Sequence, residues 1–257
     1  MAVFFSLKGP ACKSISEGRV HPVDTQTRHA LKQDKFRQAT ATSVSWVGEH
    51  RSGVIRWAVA GGIAVLLGIA ALVFYTQRTE AAQTALGAAL DVYTAQLAQP
   101  GAPPEKNIYT TSADRARAAN QQFVAVTKQY GWMPEAAKAH YFAGLTYEDL
   151  NQNGPAESEL KAAADSWNSN LANLAKLALA GLYHHTSRDA QAIDLYNAVI
   201  AKPSETAPAA VAQLDLAELY AATGKQDQAR ALWAKVKDAD KDGAAGSIAA
   251  QKLAAKQ

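Results

Sequence analysis

Cysteine, proline and charge of either sign are scarce in this chain. Among its 257 residues there is one cysteine, Cys12, and there are nine prolines. A single cysteine excludes an intrachain disulfide framework, so the fold must be held by packing. The 26 Lys and Arg nearly balance 23 Asp and Glu, which excludes the strongly basic class of nucleic-acid-binding proteins.

Common catalytic and ligand-binding signatures are missing too. The chain has no G-x-S-x-G, Walker A, H-E-x-x-H, C-x-x-C or dinucleotide-binding motif. The sequence over 238–243 copies the first half of a calcium loop, but Ala249 stands where the closing Glu belongs. His184 and His185 are adjacent, so on a helix they point about 100° apart and cannot share one metal. We therefore predict no enzyme, no metal site and no cofactor.

Alanine is abundant instead, with 56 residues, set among Leu, Gln, Lys and Glu. Alanine loses no side-chain entropy in a helix, so this composition favours an all-α fold.

One uncharged stretch dominates the N-terminal third. From Trp57 to Tyr75 the chain reads WAVAGGIAVLLGIAALVFY, and residues 54–75 as a helix would span roughly 33 Å, enough for a hydrocarbon core of about 30 Å. We predict a single transmembrane helix over 54–75; the alternative is a buried core helix. Ala60, Ala64 and Gly68 recur every four residues and offer a face for a possible partner helix.

The charges flanking this stretch predict its direction. Lys35, Arg37, Arg51 and Arg56 precede it, whereas Arg78 alone lies equally near on the other side. We therefore expect the N-terminus in the cytoplasm and the C-terminal 182 residues across the membrane. In a bacterium with two membranes this is a single-pass inner-membrane protein with a periplasmic domain. Residues 1–27 lack periodicity and are predicted to be a disordered tail, and 28–53 form either a juxtamembrane helix or a tether.

Residues 76–257 show helical periodicity throughout. Ala82, Leu86, Leu90, Tyr93 and Leu97 share one face of a helix predicted over 76–98. A loop containing three prolines follows, to about Thr111, and a second helix then completes a degenerate hairpin over 76–130. A C-terminal helix is predicted over 244–256.

Between these helices the chain repeats itself. Three units, at about 137–170, 173–206 and 210–240, align at a small residue, a tyrosine, an alanine and a large residue. The small residues and alanines allow helices to approach closely, and the aromatic side chains fill the remaining space. The predicted repeat-packing residues are Gly144, Tyr147, Ala156, Ala180, Tyr183, Ala192, Tyr196, Ala217, Tyr220, Ala229 and Trp233.

This pattern resembles the tetratricopeptide repeat. The third unit has the usual glycine at Gly224, whereas the first and second units have Asn151 and Ser187 at that position. A short tail, one anchor and degenerate tetratricopeptide-like hairpins together resemble the ancillary Sec-translocon subunit family, over roughly residues 28–240. The resemblance implies a tetratricopeptide-like helical-hairpin solenoid that faces the periplasm and associates with the translocon or with periplasmic chaperones.

In the usual superhelix the first helix of each hairpin lines a concave groove. The predicted groove residues are Tyr141, Leu145, Glu148, Leu174, Leu177, His184, Val211, Leu214 and Glu218. The groove is largely apolar and lacks a basic cluster for a peptide carboxylate, which favours an extended or helical apolar ligand. The equal alternative is that this stripe is core, covered by the 76–98 helix or by the helix after Gly246.

These features predict a membrane-anchored protein-protein interaction scaffold. Its partners would be translocon subunits, chaperones or emerging chains, and not nucleic acid. The alternative is an adaptor that coordinates enzymes of cell-envelope biogenesis or division.

Overall fold

The computed structural model describes residues 51–98 and 108–255, and every regular element in these ranges is an α-helix. Outside the helices, Leu97 and Tyr109 form an isolated parallel bridge. The prediction of an all-α fold is therefore confirmed. The predicted tail over 1–27 with Cys12, and residues 28–50 of the predicted tether, lie outside the described residues.

The helices follow one another with short connections. Their bounds are α1 Arg51–Tyr93, α2 Ser112–Gln129, α3 Pro134–Asp149, α4 Asn153–Ala164, α5 Ser169–His185, α6 Asp189–Ala201, α7 Ala209–Ala222, α8 Gln226–Ala239 and α9 Ala244–Ala254. From α2 onward, each helix is joined to the next by three to seven residues and packs against it. Such short connections fold each helix back along its predecessor. In addition α3 contacts α5, and α7 contacts α9.

Helix α1 is long and apolar enough to cross a membrane. Its 43 residues rise about 65 Å, roughly twice the thickness of a hydrocarbon core. Large apolar side chains along its first half are exposed, including Trp57 at 81% and Leu66 at 68%. The division of the chain into two units falls within this helix, between Ala70 and Ala71.

The end of α1 differs from the expectation. The helix ends at Tyr93 rather than at Ala98, and Leu97 is 42% exposed instead of lying on a buried helical face. The backbone N–H of Ala98 donates to the carbonyl of Tyr109 at 2.8 Å. The prolines that follow disfavour a continuing helix, and this link to Tyr109 satisfies the backbone instead.

The second half of α1 belongs to the first of the hydrophobic cores. Ala82, Leu86, Ala89 and Val92 are buried there against residues of α2 and α3, among them Phe123. The core also holds a buried polar group that is satisfied: Asn120 Nδ2 donates to Thr146 Oγ1 at 3.0 Å and to the carbonyl of Ala143 at 3.3 Å. This bond joins α2 to α3 without leaving an unpaired amide.

Three further cores lie along α4 to α9, and the smallest of them contains Val199, Ala207 and Ala212. The second contains Leu160 of α4, Leu182 of α5, Tyr196 of α6 and Leu219 of α7. The third surrounds Trp233, which is fully buried between α7, α8 and α9. Each core is built from helices that are close in sequence, which is the packing that short connections produce.

The turns after α3, α5 and α7 share one backbone conformation. Asn151, Ser187 and Gly224 have φ values of 57°, 60° and 79°, in the left-handed region. Glycine adopts this region freely and asparagine tolerates it, but for serine it is strained by about 1–2 kcal/mol.

The same turns also share a hydrogen bond. In each, the residue after the left-handed position donates its N–H to the carbonyl five residues earlier, which closes a Schellman turn. These bonds are Gln152 to Tyr147 at 2.8 Å, Arg188 to Tyr183 at 2.7 Å and Lys225 to Tyr220 at 2.8 Å. The repeat recognised in the side chains is thus present in the backbone as well.

Candidate partner-binding surface

The small residues of the three repeats are buried. Gly144, Ala180 and Ala217 lie in α3, α5 and α7. A β-carbon added to Gly144 would lie 2.6 Å from Cγ of Leu160 and 3.3 Å from its backbone nitrogen. Helices α3 and α4 therefore touch at a point where no side chain fits.

The other predicted packing residues lie in or against the second and third cores. Tyr147 and Tyr220 are half-buried, and the rest are buried: Ala156, Tyr183, Ala192, Tyr196, Ala229 and Trp233. The equivalent alanines of α4, α6 and α8 have no exposed surface. These positions bring consecutive helices into contact and are unavailable to a partner.

The nine predicted groove residues lie on α3, α5 and α7, and most are half-buried. Tyr141 of α3 and Leu177 of α5 both pack against the second core. Val211 is 38% exposed and Glu218 is also exposed. The remaining members are Leu145, Glu148, Leu174, His184 and Leu214, all of them half-buried. The surface is thus neither sealed core nor a fully open apolar face.

At the third hairpin the C-terminal helix covers part of this surface. Leu214 packs against the third core together with Leu253 of α9. Lys252 of α9 pairs with Glu218 at 2.7 Å. Here the structure agrees with the alternative of a covered stripe, whereas Leu145 and Leu174 lie outside the hydrophobic cores.

The two adjacent histidines have different partners. His184 Nδ1 lies 2.7 Å from Asp189 Oδ1, and His185 Nδ1 lies 3.3 Å from Glu148 Oε1. The second contact joins α5 to α3 across the predicted groove. Among the described residues, no group of three His, Cys, Asp or Glu side chains is placed to hold a metal ion.

The sequence that resembles half a calcium loop forms a helix start. The Asp240 carboxylate accepts a hydrogen bond from the backbone N–H of Gly246 at 3.1 Å, and the Asp240 carbonyl accepts one from Gly243 at 3.1 Å. Asp240 therefore caps the first turn of α9.

Burial perturbs three ionisable groups near the surface. Burial raises the pKa of Asp149 and, together with the charge of Glu218, that of Asp215. Burial also raises the pKa of the Tyr141 hydroxyl. A charged Asp215 therefore costs folding free energy at neutral pH, because the native state holds its carboxylate away from water.

An ion network that sequence reasoning missed joins α4 to the turn after α5. Glu157 accepts hydrogen bonds from Arg188 at 2.8 Å and from the Tyr183 hydroxyl at 3.1 Å, and Lys161 lies 2.7 Å away. The Arg188 guanidinium also lies over the Tyr183 ring, 4.1 Å from its centroid. The Arg188 and Lys161 hydrogen bonds lower the pKa of Glu157 to about 2. Because 31 residues separate Glu157 from Arg188, no local pattern could have predicted the pair.

Sequence reasoning also missed two exposed tryptophans. Trp132 is 60% exposed and Trp167 is 84% exposed, and both line a surface pocket of about 380 Å³. His140 lies in the same pocket, with Nδ1 2.5 Å from Glu159 Oε2. Tryptophan beside turn-forming residues, as at Gly131 and Pro134, was the available signal.

Comparison of the chain with protein-family models, curated proteins and solved structures found no significant match.

Proposed function

We propose that this protein is a membrane-anchored scaffold for protein-protein interaction. The observation that carries the proposal is α1, a single helix that holds the exposed apolar segment and then supplies Ala82, Leu86, Ala89 and Val92 to the first core. An exposed stretch of this length is unfavourable in water and favourable in a bilayer. In the proposal residues 54–75 cross the membrane once, and α2 to α9 lie beside it.

The proposed architecture of α2 to α9 is a tetratricopeptide-like solenoid. Three turns of the same geometry, after α3, α5 and α7, and buried alanines at equivalent positions of α4, α6 and α8 support it. In such an array each hairpin covers its neighbour, and the first helices present a common surface. The half-buried Tyr141, Leu145 and Leu174 would form the part open to an apolar segment of a partner.

The proposed partners are subunits of the secretion translocon, chaperones or emerging chains, on the periplasmic side of a bacterial inner membrane. The excess of Lys and Arg before the apolar segment supports this orientation. The order of one anchor followed by tetratricopeptide-like hairpins supports the translocon as the partner. A single anchor confines the domain to a thin layer beside the membrane, so that weak contacts at the surface act at a raised local concentration.

The orientation is tested with a reporter enzyme that is active only outside the cytoplasm. Fused after Gln257, the reporter is expected to be active. Fused after Arg51, before the apolar segment, it is the matched control and is expected to be inactive. Equal activity of two intact fusions would contradict a single crossing with the N-terminus inside.

Partners are tested by site-specific photocrosslinking in cells. A photoreactive phenylalanine derivative replaces Tyr141 or, in a second variant, Leu174, and Asn197 on the exposed face of α6 serves as the control position. Crosslinks to translocon subunits from the first two positions and not from Asn197 are expected. Crosslinks to cell-wall or division enzymes would favour the envelope adaptor instead, and identical products from all three positions would contradict the groove.

A further inference from the structure

Two tryptophans in neighbouring connections are left largely uncovered by the protein. Trp132 lies between α2 and α3, Trp167 lies between α4 and α5, and the two line one pocket. An indole carries a large apolar surface together with an N–H group that favours a polar partner. Two of them exposed at one site are therefore costly in water, and they need a surface that is apolar on one side and wet on the other.

The position of Trp132 beside α1 indicates which surface would cover the two indoles. Its ring lies 6.1 Å from the ring of Tyr75, at an interplanar angle of 53°. Tyr75 is the last residue of the apolar segment. One turn further along α1, the Thr79 hydroxyl donates to the Met133 sulfur at 3.8 Å, and about two turns further Gln83 Nε2 donates to Glu135 Oε1 at 3.3 Å. These contacts hold the connection between α2 and α3 at the level where the apolar segment ends.

Trp167 follows α4 and lies at the same end of the hairpin formed by α3 and α4. It shares the pocket with Trp132, Pro134 and Ala162, so the pocket joins the two connections. Helix α4 has 12 residues and is about 18 Å long, and its other end carries the turn at Asn151. The hairpin of α3 and α4 therefore has one end beside Tyr75, with both tryptophans, and an opposite end without them.

The residues around Tyr75 are typical of a membrane surface. Phe74 is exposed, and the Arg78 guanidinium lies over its ring, 5.5 Å from the centroid. Aromatic residues concentrate at the level of the headgroups, and arginine near a helix end extends its charge towards them. Asp165, which is exposed in the same pocket, disfavours an anionic surface, so the indoles rather than charge must provide the affinity.

We propose that the two connections carrying Trp132 and Trp167 lie on the bilayer that α1 enters, with their indoles among the lipid headgroups. This inference rests on the proposed crossing of the membrane by residues 54–75. It gives the repeat domain a second contact with the bilayer beyond its anchor, and it places the Asn151 turn of the α3–α4 hairpin away from the lipid.

Depth-dependent fluorescence quenching tests the contact on the full chain. With Cys12 replaced by serine, an environment-sensitive dye is attached to Ser169→Cys, two residues after Trp167, or to Asn153→Cys at the far end of α4. Both positions are exposed, so labelling leaves the cores intact. The protein is placed in phosphatidylcholine vesicles with a nitroxide near the headgroups. The dye at 169 is expected to be quenched about twofold or more relative to the dye at 153.

Two further variants separate the possible outcomes. A dye at Leu66→Cys reports on the span itself with nitroxide deep in the acyl chains. Quenching at 66 with equal quenching at 169 and 153 would overturn the surface contact and leave the span standing, as expected if a protein partner covers the tryptophans. No quenching at 66 would refute the span and the inference with it. Trp167→Ala is expected to lower quenching at 169, and Trp167→Phe to retain most of it; no change with Trp167→Ala would contradict its role as an anchor.

Discussion

Adding one methyl group at two glycines is expected to change stability in opposite directions. In Gly144→Ala the new β-carbon would lie 2.6 Å from Leu160 Cγ, and Leu160 is fully buried with its backbone nitrogen 3.3 Å away. Helix α4 must move, at a cost of about 1–3 kcal/mol for overpacking. In Gly181→Ala, within α5, the β-carbon meets no atom within 4 Å. Both changes gain about 1 kcal/mol of helix propensity, so the net effects are about 0–2 kcal/mol destabilising at 144 and about 1 kcal/mol stabilising at 181.

Thermal unfolding of the full chain in detergent, followed by far-ultraviolet circular dichroism, measures the difference. Because helix propensity cancels between the variants, the difference equals the overpacking cost of about 1–3 kcal/mol. At about 2–4 °C per kcal/mol for a domain of this size, Gly144→Ala should melt about 2–12 °C below Gly181→Ala. Equal melting temperatures for the two variants would refute the close contact of α3 and α4 at Gly144.

Four other substitutions test particular contacts by chemical unfolding of the full chain. Glu157→Gln should lower the free energy of unfolding by about 1–2 kcal/mol at pH 7, after allowance for solvent screening. Since the pKa of Glu157 in the folded state, about 2, lies below its unfolded value, this loss should fade as the pH falls from about 5 to about 2. An equal loss at pH 7 and at pH 2 would contradict the ion network. Ser187→Gly should stabilise the fold by about 0.5–1 kcal/mol and Gly224→Ala should destabilise it by about 1–2 kcal/mol, because Ser187 and Gly224 both have positive φ. Shifts of the same sign would argue against the left-handed turns. Asp215→Asn should stabilise the folded state at pH 7, because the raised pKa of Asp215 means that its charged form is disfavoured there. The stabilisation should disappear below about pH 4, where the carboxyl is protonated in both states. A destabilising effect at pH 7 would show that the carboxylate is favourably paired.

The sequence predicted the all-helical class and the apolar helix because both depend on local composition. It also identified the small and aromatic positions of the repeats, which the structure buries except for the half-buried Tyr147 and Tyr220, since spacing of three and four residues places side chains on one face of a helix. The end of α1 was less predictable. Leu97 continued the apolar spacing, but the pairing of Ala98 with Tyr109 depends on a residue eleven positions away.

The residues of the candidate surface could be predicted from the sequence, but which of them other helices cover could not. Spacing placed Leu145, Leu174 and Leu214 on the same face of the first helix of each hairpin. Only the path of the C-terminal helix decides that Leu214 packs against the third core together with Leu253 of α9. The spacing of residues along one helix does not predict which other helix packs against it, because the free energy of such contacts arises from burial between residues far apart in sequence.

What the sequence determined by itself was therefore the segments: an apolar stretch long enough for a bilayer, and short amphipathic helices that recur at a period of 36 or 37 residues. Tertiary structure alone decided which side chains meet across those segments, including Glu157 with Arg188 and Trp132 with Tyr75. Helix propensity and apolar spacing act between residues within one or two turns. The meeting of residues 31 and 57 positions apart depends on how whole hairpins pack, which is set by the summed burial of many side chains.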